Sequence, residues 1–381
     1  MRHRFIIVGA GIYGSATAWH LARQGADVLV LEAGEVAGGA SGGPGKRGVR
    51  GNRRAATELP LMRLAYDLWP RLAEELDADT GYERVGSLNL FEEDQPGMRG
   101  GLAALRALAW RQDRLGVPTE ALDERQVREL EPGVAPAVRG GLWSPLDGVA
   151  DHTATTRALA AAARQAGAVV QEHTPVASLI RSGNRVTGVV TRSGETHEAD
   201  EAVVLLNNSG AAALAATVDG APLPFWRMVP QALTVRTTGT SPVRHLVGHH
   251  NRALSLKTLG PHELMVTGGW RGVWDERAGA GSTVESAIRG NLAEARAVYP
   301  DLADATLQTA EASRAETYSA DDLPVIDVLP PTTNLLVGSG FSGHGFAIAP
   351  AVALLLARWL LTGDRPEPLT GLAYRRFTPV P

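Results

Sequence analysis

The 381-residue sequence contains no cysteine. That excludes disulfides, zinc–thiolate sites, iron–sulfur clusters, cysteine nucleophiles and any cofactor tethered through a thioether. It does not fix the compartment, because secreted proteins can also lack cysteine. Lysine is almost missing too. Lys46 and Lys257 are the only two, so 35 of the 37 basic residues are arginines. The main cause is compositional, a GC-rich genome writing arginine wherever lysine would serve. There is no excess of one charge: the formal net charge is −4, and nothing global attracts nucleic acid. A long apolar run is lacking as well. The most apolar stretch, Phe346 to Leu361, is interrupted by Pro350 and Arg358 and falls short of the roughly 20 residues a membrane span needs. What remains is 44% hydrophobic and 20% charged, the balance of a globular protein. The length suits one large domain or two intertwined ones.

The N-terminus, MRHRFIIVGAGIYGSATAWHLA, has the basic start and apolar stretch of a signal peptide. Its motif offers a better explanation, and a cytoplasmic location is expected. Phe5 to Val8 is a β-branched apolar run, the pattern of a fully buried strand. Gly9-Ala10-Gly11-Ile12-Tyr13-Gly14 follows at once. Ser15 to Gln24 has apolar residues at helical spacing, and Gly25 fits a helix stop. Asp27 to Leu31 is a second apolar strand, ending at Glu32 and Ala33. In a dinucleotide site Gly9 permits the tight turn, Gly11 lets the backbone approach a pyrophosphate, and Gly14 lets helix and strand pack closely. The helix N-terminus, with Ile12 and Tyr13, presents free N–H groups to the phosphates. Glu32 can accept hydrogen bonds from a ribose 2′-OH, and its charge disfavours a 2′-phosphate.

A nicotinamide-only domain should continue with another strand–helix unit. Instead comes Gly38-Gly39-Ala40-Ser41-Gly42-Gly43-Pro44-Gly45, too glycine-rich for either element, and then Arg47, Arg50, Arg53 and Arg54. A long glycine loop with cations suits a longer cofactor running on toward a ring system. A flexible surface loop with solvated arginines is the plainer alternative.

Further strands are expected at 84–91, 140–145, 168–170, 185–192, 202–206 and 335–337, with a β-rich patch over 225–268. Helices are expected at 61–76, 101–115, 153–165 and 283–299. The α/β segments at the start, middle and end are interrupted by two β-rich stretches. That order predicts an α/β fold, α+β overall, with two domains interleaved in sequence. The second glycine loop, Ser339-Gly340-Phe341-Ser342-Gly343-His344-Gly345-Phe346, lies between a strand and a helix. It repeats the logic of the first: bare backbone, then a helix dipole aimed at something anionic. A flavin there would have negative charge at its N1/C2=O edge stabilised on reduction, with His344 beside the ring.

The residues VGAGIYG, VLVLEAG, GGASGG, KRGVR, ETYSADDLPVID and GSGFSGHGFAIAPAVA together resemble the FAD-dependent amine and amino-acid oxidases of the D-amino-acid-oxidase superfamily, nearest the sarcosine-oxidase-like and glycine-oxidase-like members. The resemblance runs through the whole chain in order. It implies a Rossmann-type FAD-binding domain, expected over 1–82, 146–222 and 312–381, interleaved with a β-sheet substrate domain over 83–145 and 223–311. It implies noncovalent FAD, with phosphates at Gly9, Gly11 and Gly14 and the adenosine ribose at Glu32. Ala40, Ser41, Gly42 and Arg47 would lie along the pyrophosphate and flavin, and the Val176 backbone would meet the adenine. Gly210 and Gly340 join the cofactor set, and Gly343, His344, Gly345 and Phe346 the pyrimidine edge. Arg50 matches the arginine that pairs with a substrate carboxylate, a task suited to a bidentate guanidinium.

The sequence departs from that pattern in several places. Where covalent members carry the flavin-tethering cysteine, Arg314 stands nearby. The lysine expected just after the GHGF phenylalanine is Ala347. The strand expected to carry an oxygen-activating lysine, Leu264 to Gly268, has none, and Lys257 on the preceding strand is the candidate substitute. The middle strand ends in Asn207-Asn208-Ser209-Gly210, a loose version of the usual turn. Tyr318, Trp226 and Trp270 are candidate aromatic walls, and Tyr318 joins Arg50, His344 and Lys257 as candidate catalytic residues. No metal is expected. The function implied is oxidation of an amine or amino acid to an imine by hydride transfer to flavin N5, with O2 reoxidising the flavin to give H2O2. A dehydrogenase using a quinone or protein acceptor, and a non-catalytic FAD-binding subunit, are the alternatives.

Overall fold

The computed structural model describes residues 2–96 and 100–378. In chain order the elements are β1 (Arg2–Val8), α1 (Ile12–Ala22), β2 (Val28–Leu31), β3 (Lys46–Val49), α2 (Leu59–Leu76), β4 (Ser87–Phe91), α3 (Leu105–Arg114) and β5 (Glu120–Asp123). Then come α4 (Glu124–Leu130), β6 (Gly140–Ser144), β7 (Gly148–Asp151), α5 (His152–Gln165), β8 (Val169–Gln171), β9 (Val176–Ser182), β10 (Arg185–Thr191), β11 (Thr196–Leu205) and α6 (Ala211–Ala216). The rest are β12 (Phe225–Met228), β13 (Ala232–Arg236), β14 (Leu246–His249), β15 (Leu254–Gly260), β16 (Glu263–Gly268), β17 (Val273–Asp275), β18 (Ala280–Ser282), α7 (Glu285–Val298), β19 (Thr306–Glu311), β20 (Glu316–Ser319), β21 (Val325–Val328), β22 (Leu335–Ser339) and α8 (Ala349–Thr362).

The first sheet runs β21-β22-β11-β1-β2-β8, with β10 and β9 continuing from β11. Its heart is parallel: Val8 faces Leu31 on one side and Leu205 on the other. Both faces of β1 are buried, as its unbroken apolar run requires. Phe5 and Ile7 pack with α1, α2, α5 and α8, while Ile6 and Val8 pack toward α6, β9 and β10. Each such side chain contributes about 1.5–3 kcal/mol relative to exposure. The apolar C-terminal run is spent in this core: Val352 and Leu356 of α8 are fully buried against α1 and α2.

The second sheet runs β19-β13-β16-β15-β14-β4-β6-β5. It alternates cleanly. Leu88, Leu90, Leu256 and Val266 enter an apolar core with α4 and α7. The residues between them, among them Ser87, Asn89 and Lys257, turn to the opposite face, toward the loops of the first sheet. The chain visits this sheet twice, over 87–144 and again over 232–311.

The sequence pattern assigns no element to 46–49. The structure makes Lys46–Val49 a strand, paired antiparallel with β7 from Lys46↔Asp151 to Val49↔Gly148. Its partner lies a hundred residues away, which no local pattern displays. This ribbon carries the arginines between the two sheets.

Candidate active site

Two of the three N-terminal glycines are demanded by the protein's own packing. Gly9 has φ +102, and a Cβ there would lie 2.9 Å from Leu206 O and from Asn207 Cα, where the end of β11 passes. A Cβ on Gly14 would lie 1.8 Å from Gly9 O. Gly11 differs: no atom lies within 4 Å of its Cβ position. It opens on empty space before α1, whose N-terminus has no side-chain cap and no acid in its first turn. Backbone N–H groups there, those of Ile12, Tyr13 and Gly14, are available to an anion. Glu32 accepts from Ala10 N at 2.7 Å and from Gly34 N at 2.9 Å, each oxygen keeping a free lone pair. Ala33 is clasped between these contacts. The Glu32 carbonyl accepts from Thr174 N at 2.7 Å, and Val176 opens β9 two residues on. Gly11, Glu32 and Val176 therefore share the carboxyl end of the parallel strands.

The second loop joins the first through Tyr13. Its hydroxyl donates to Gly345 O at 2.5 Å, and its ring stacks on Phe341 with centroids 4.0 Å apart. The Tyr13 side chain is thus committed to protein, and only its backbone faces the space at Gly11. Phe346 likewise has its ring engaged by protein, tilted against Trp69 at 5.0 Å. Gly340 (φ +77) lies under Phe225, and a Cβ on Gly343 (φ +80) would lie 2.8 Å from the Tyr318 hydroxyl. Gly210 closes a short turn after β11, with Asn207 Nδ2 2.6 Å from its Cβ position.

Arg50 and His344, distant in sequence, are tied together by Arg54. Its Nε donates to Arg50 O at 2.7 Å, its Nη2 to His344 O, and its Nη1 lies 3.2 Å from His344 Nδ1. Glu58, one helical turn on, pairs with Arg54 at 2.9 Å and lies 3.4 Å from His344 Nδ1. Burial pushes the Glu58 carboxyl up, but Arg54, His344 and Arg50 together hold it below its ordinary value. Asp147 builds the turn after Arg50. It accepts from Gly51 N at 2.6 Å, Asn52 N at 3.1 Å, the Tyr66 hydroxyl at 2.6 Å and the Ser87 hydroxyl, and burial pushes its carboxyl up. Arg54, Glu58 and Asp147 were not singled out from sequence as site residues. Arg54 stood in the arginine cluster and Glu58 follows it at helical spacing, so that pair was findable; Asp147 carries no local signal.

Arg47 donates to the carbonyls of Ser41, Gly43 and Lys46, and so shapes the Ala40–Gly43 loop around itself, with its Nη2 3.3 Å from the Cβ position of Gly42. Beneath it, Glu316 accepts from Ser41 Oγ at 3.2 Å and from Thr317 N at 3.2 Å; burial pushes its carboxyl up. Tyr318 shares a face of β20 with Glu316, and burial pushes its phenol up to about 12. Lys257 stands on β15 opposite Met265, whose sulfur is 3.9 Å from Arg47 Nη1. Burial, then Arg47 and Arg50, push its ammonium down to about 7.

Arg47, Arg50, Glu316 and Tyr318 lie deep in the protein, yet each keeps accessible surface. They stand where the two glycine loops meet the polar face of the second sheet. The two tryptophans do not both flank this site. Trp226 is 46% exposed beside Tyr318, at the rim. Trp270 leans on Gly290 of α7, on the far side of the sheet, because the chain leaves β16 at Gly268-Gly269 and turns away.

An open anion seat at Gly11, a carboxylate at Glu32 and a second glycine loop tied to the first through Tyr13 fit FAD and define an FAD-dependent oxidoreductase. The family model DAO, FAD dependent oxidoreductase, matches residues 4–359, and the chain belongs to that family. It is 30% identical over 377 residues to glycine oxidase of Geobacillus kaustophilus (strain HTA426), covering 94% of this chain and 93% of that one. It is 27% identical over 399 residues to 4-methylaminobutanoate oxidase (formaldehyde-forming) of Paenarthrobacter nicotinovorans, covering 98% of this chain but 46% of that longer protein. Among solved structures it superposes on L-proline dehydrogenase from P. horikoshii with a TM-score of 0.87 at 23% identity, covering 98% of each chain.

Proposed function

We propose that the protein oxidises the C–N bond of an amine or amino acid to an imine, with O2 as the electron acceptor and H2O2 as the product. The observation that carries this is the meeting of the two glycine loops through Tyr13, with Arg50 beside them and its peptide held by Arg54 and Asp147. FAD, held at Gly11 and Glu32, would supply the oxidising power as a two-electron acceptor for the carbon that bears the nitrogen. The chain's own work is positional. The substrate must react as a free amine, since an ammonium has no lone pair to support loss of hydride. The site therefore needs orientation and dryness more than a strong base. Arg50 offers a buried guanidinium to a carboxylate. Tyr318, a phenol over the loop at Gly343, closes one side. His344, held by Arg54 and Glu58, presents the loop backbone. The relatives named glycine oxidase and 4-methylaminobutanoate oxidase support a substrate nitrogen next to the oxidised carbon.

The test is oxygen consumption with peroxide measured in parallel across amines and amino acids, D and L, N-methylated and cyclic. One H2O2 per substrate consumed supports the reading. Substrate-dependent reduction of an artificial quinone with no uptake of O2 would replace the oxidase with a dehydrogenase, the reading favoured by a β16 strand without lysine.

A further inference from the structure

The chain has two lysines, and both line one groove. Codon bias explains why lysine is rare here, but not why the two survivors stand together. The groove has a volume of about 530 Å³ and lies between the β3–β7 ribbon and the ends of β14 and β15. Lys46 of the ribbon pairs with Glu83 at 2.6 Å. Lys257, across from it on β15, is only 5% exposed and makes no hydrogen bond or ion pair among the described residues. Arg244 is exposed at the start of β14, and its guanidinium has no ion pair among those residues either. Three cations and one carboxylate thus line the groove, a net charge of +2. Glu131, behind β14, offers no relief: it already accepts from the backbone N–H groups of Arg244 and His245 and meets the His245 ring at 2.7 Å.

An ammonium held out of water without a partner is unfavourable, and an anion bound beside it offsets that cost. Lysine suits the task, a compact charge with three donors on a flexible stem. The rest of the groove says what the anion carries. Val85, Val149, Val243 and Leu246 give it an apolar wall, which a bare ion would leave uncovered. Its volume is that of a small-molecule site, commonly about 300–1,000 Å³. Lys257 and Arg244 come from different strands and differ in depth. A phosphate monoester, with roughly two negative charges and three acceptor oxygens, can serve both, whereas a carboxylate is matched to one. We propose that this groove binds a phosphate monoester, with Lys257 at its floor, Arg244 at its mouth and the organic part of the ligand against the valines and Leu246. The proposal assigns a role to Lys257 that does not depend on the amine-oxidation reading.

The experiment is calorimetric titration of the FAD-loaded enzyme at pH 6.5, below the value of about 7 to which burial pushes the Lys257 ammonium, so that its charge is present. Phenyl phosphate should bind and benzyl alcohol should not. Inorganic phosphate should bind about tenfold more weakly or worse, because it leaves the apolar wall uncovered. Lys257→Met should weaken phenyl phosphate about 10- to 100-fold, the range of one charge-assisted hydrogen bond. Arg244→Ala should weaken it about 2- to 5-fold, the range of an exposed ion pair. Wild type supplies a readout that stands even where a variant does not fold: phenyl phosphate, but not benzyl alcohol, should suppress acetylation of Lys257 by an amine-selective ester, followed by mass spectrometry. No binding of phenyl phosphate, equal affinity for inorganic phosphate, or unchanged affinity in Lys257→Met overturns the proposal. So does a loss in Arg50→Gln as large as that in Lys257→Met, which would place the anion with Arg50 and not in the groove.

Discussion

The Tyr13 hydroxyl donates to the carbonyl of Gly345 at 2.5 Å, and this single contact joins glycine loops at opposite ends of the chain. Stacking on Phe341 fixes the same ring. Tyr13→Phe keeps the stack but removes the side-chain hydrogen bond between the loops, at a cost of about 0.5–1.5 kcal/mol. Weaker FAD retention with little change in secondary structure is expected, measured by equilibrium dialysis and circular dichroism. Wild-type FAD affinity in that variant would show that the loops are held by other contacts.

Gly11 and Gly14 separate folding from cofactor binding. Gly14→Ala drives a methyl into Gly9 O and should destabilise the protein by about 3 kcal/mol or more. Gly11→Ala meets no protein atom within 4 Å, so the fold should survive while the methyl occupies the space the pyrophosphate needs. The expected products are an insoluble or low-melting Gly14 variant and a well-folded, colourless Gly11 variant. Full FAD content in Gly11→Ala would place the phosphates elsewhere.

Glu58 contributes stability that depends on pH. Its folded carboxyl is held below the ordinary value, chiefly by Arg54, His344 and Arg50 against the opposing effect of burial. The contribution is complete above the ordinary carboxylate range and disappears as pH falls through the lowered folded value. Glu58→Gln lacks it at every pH and leaves Arg54 buried without its partner, a loss of about 3–5 kcal/mol at pH 7. Urea unfolding from pH 3 to 7 should show the two proteins converging in acid. A constant gap would show that charge is not the cause.

Without cysteine no thioether to flavin can form. Acid precipitation should release a yellow supernatant whose chromatographic mobility is that of FAD, leaving a colourless pellet. Colour retained in the pellet would require a tether through another side chain, such as a histidine.

The first forty residues were legible because strand, turn, helix and strand follow one another and each glycine has a local job. The second loop was legible for the same reason. The arginine ribbon was not: Lys46–Val49 is a strand only because Gly148–Asp151 lies beside it. Asp147 acts through partners 60 to 96 residues distant and Glu316 through Ser41, 275 residues distant, and a lone acid in sequence carries no sign of that. Lys257 stood out from sequence through its rarity, but its neighbours Arg47 and Arg50 were visible only once β15 faced the ribbon. Trp270 misled because aromatic character does not tell which face of a sheet the chain will choose when it leaves at a glycine pair.

The central claim is that the site where the two glycine loops meet brings an amine-bearing carbon to FAD. The direct measurement is anaerobic titration of the holoenzyme with a panel of amines and amino acids, followed by flavin absorbance. The account predicts that at least one amino acid bleaches the flavin fully, with one equivalent per site, and that admitting air restores the colour with release of H2O2. A flavin that stays oxidised with every amine and amino acid, yet is bleached by dithionite, would contradict it.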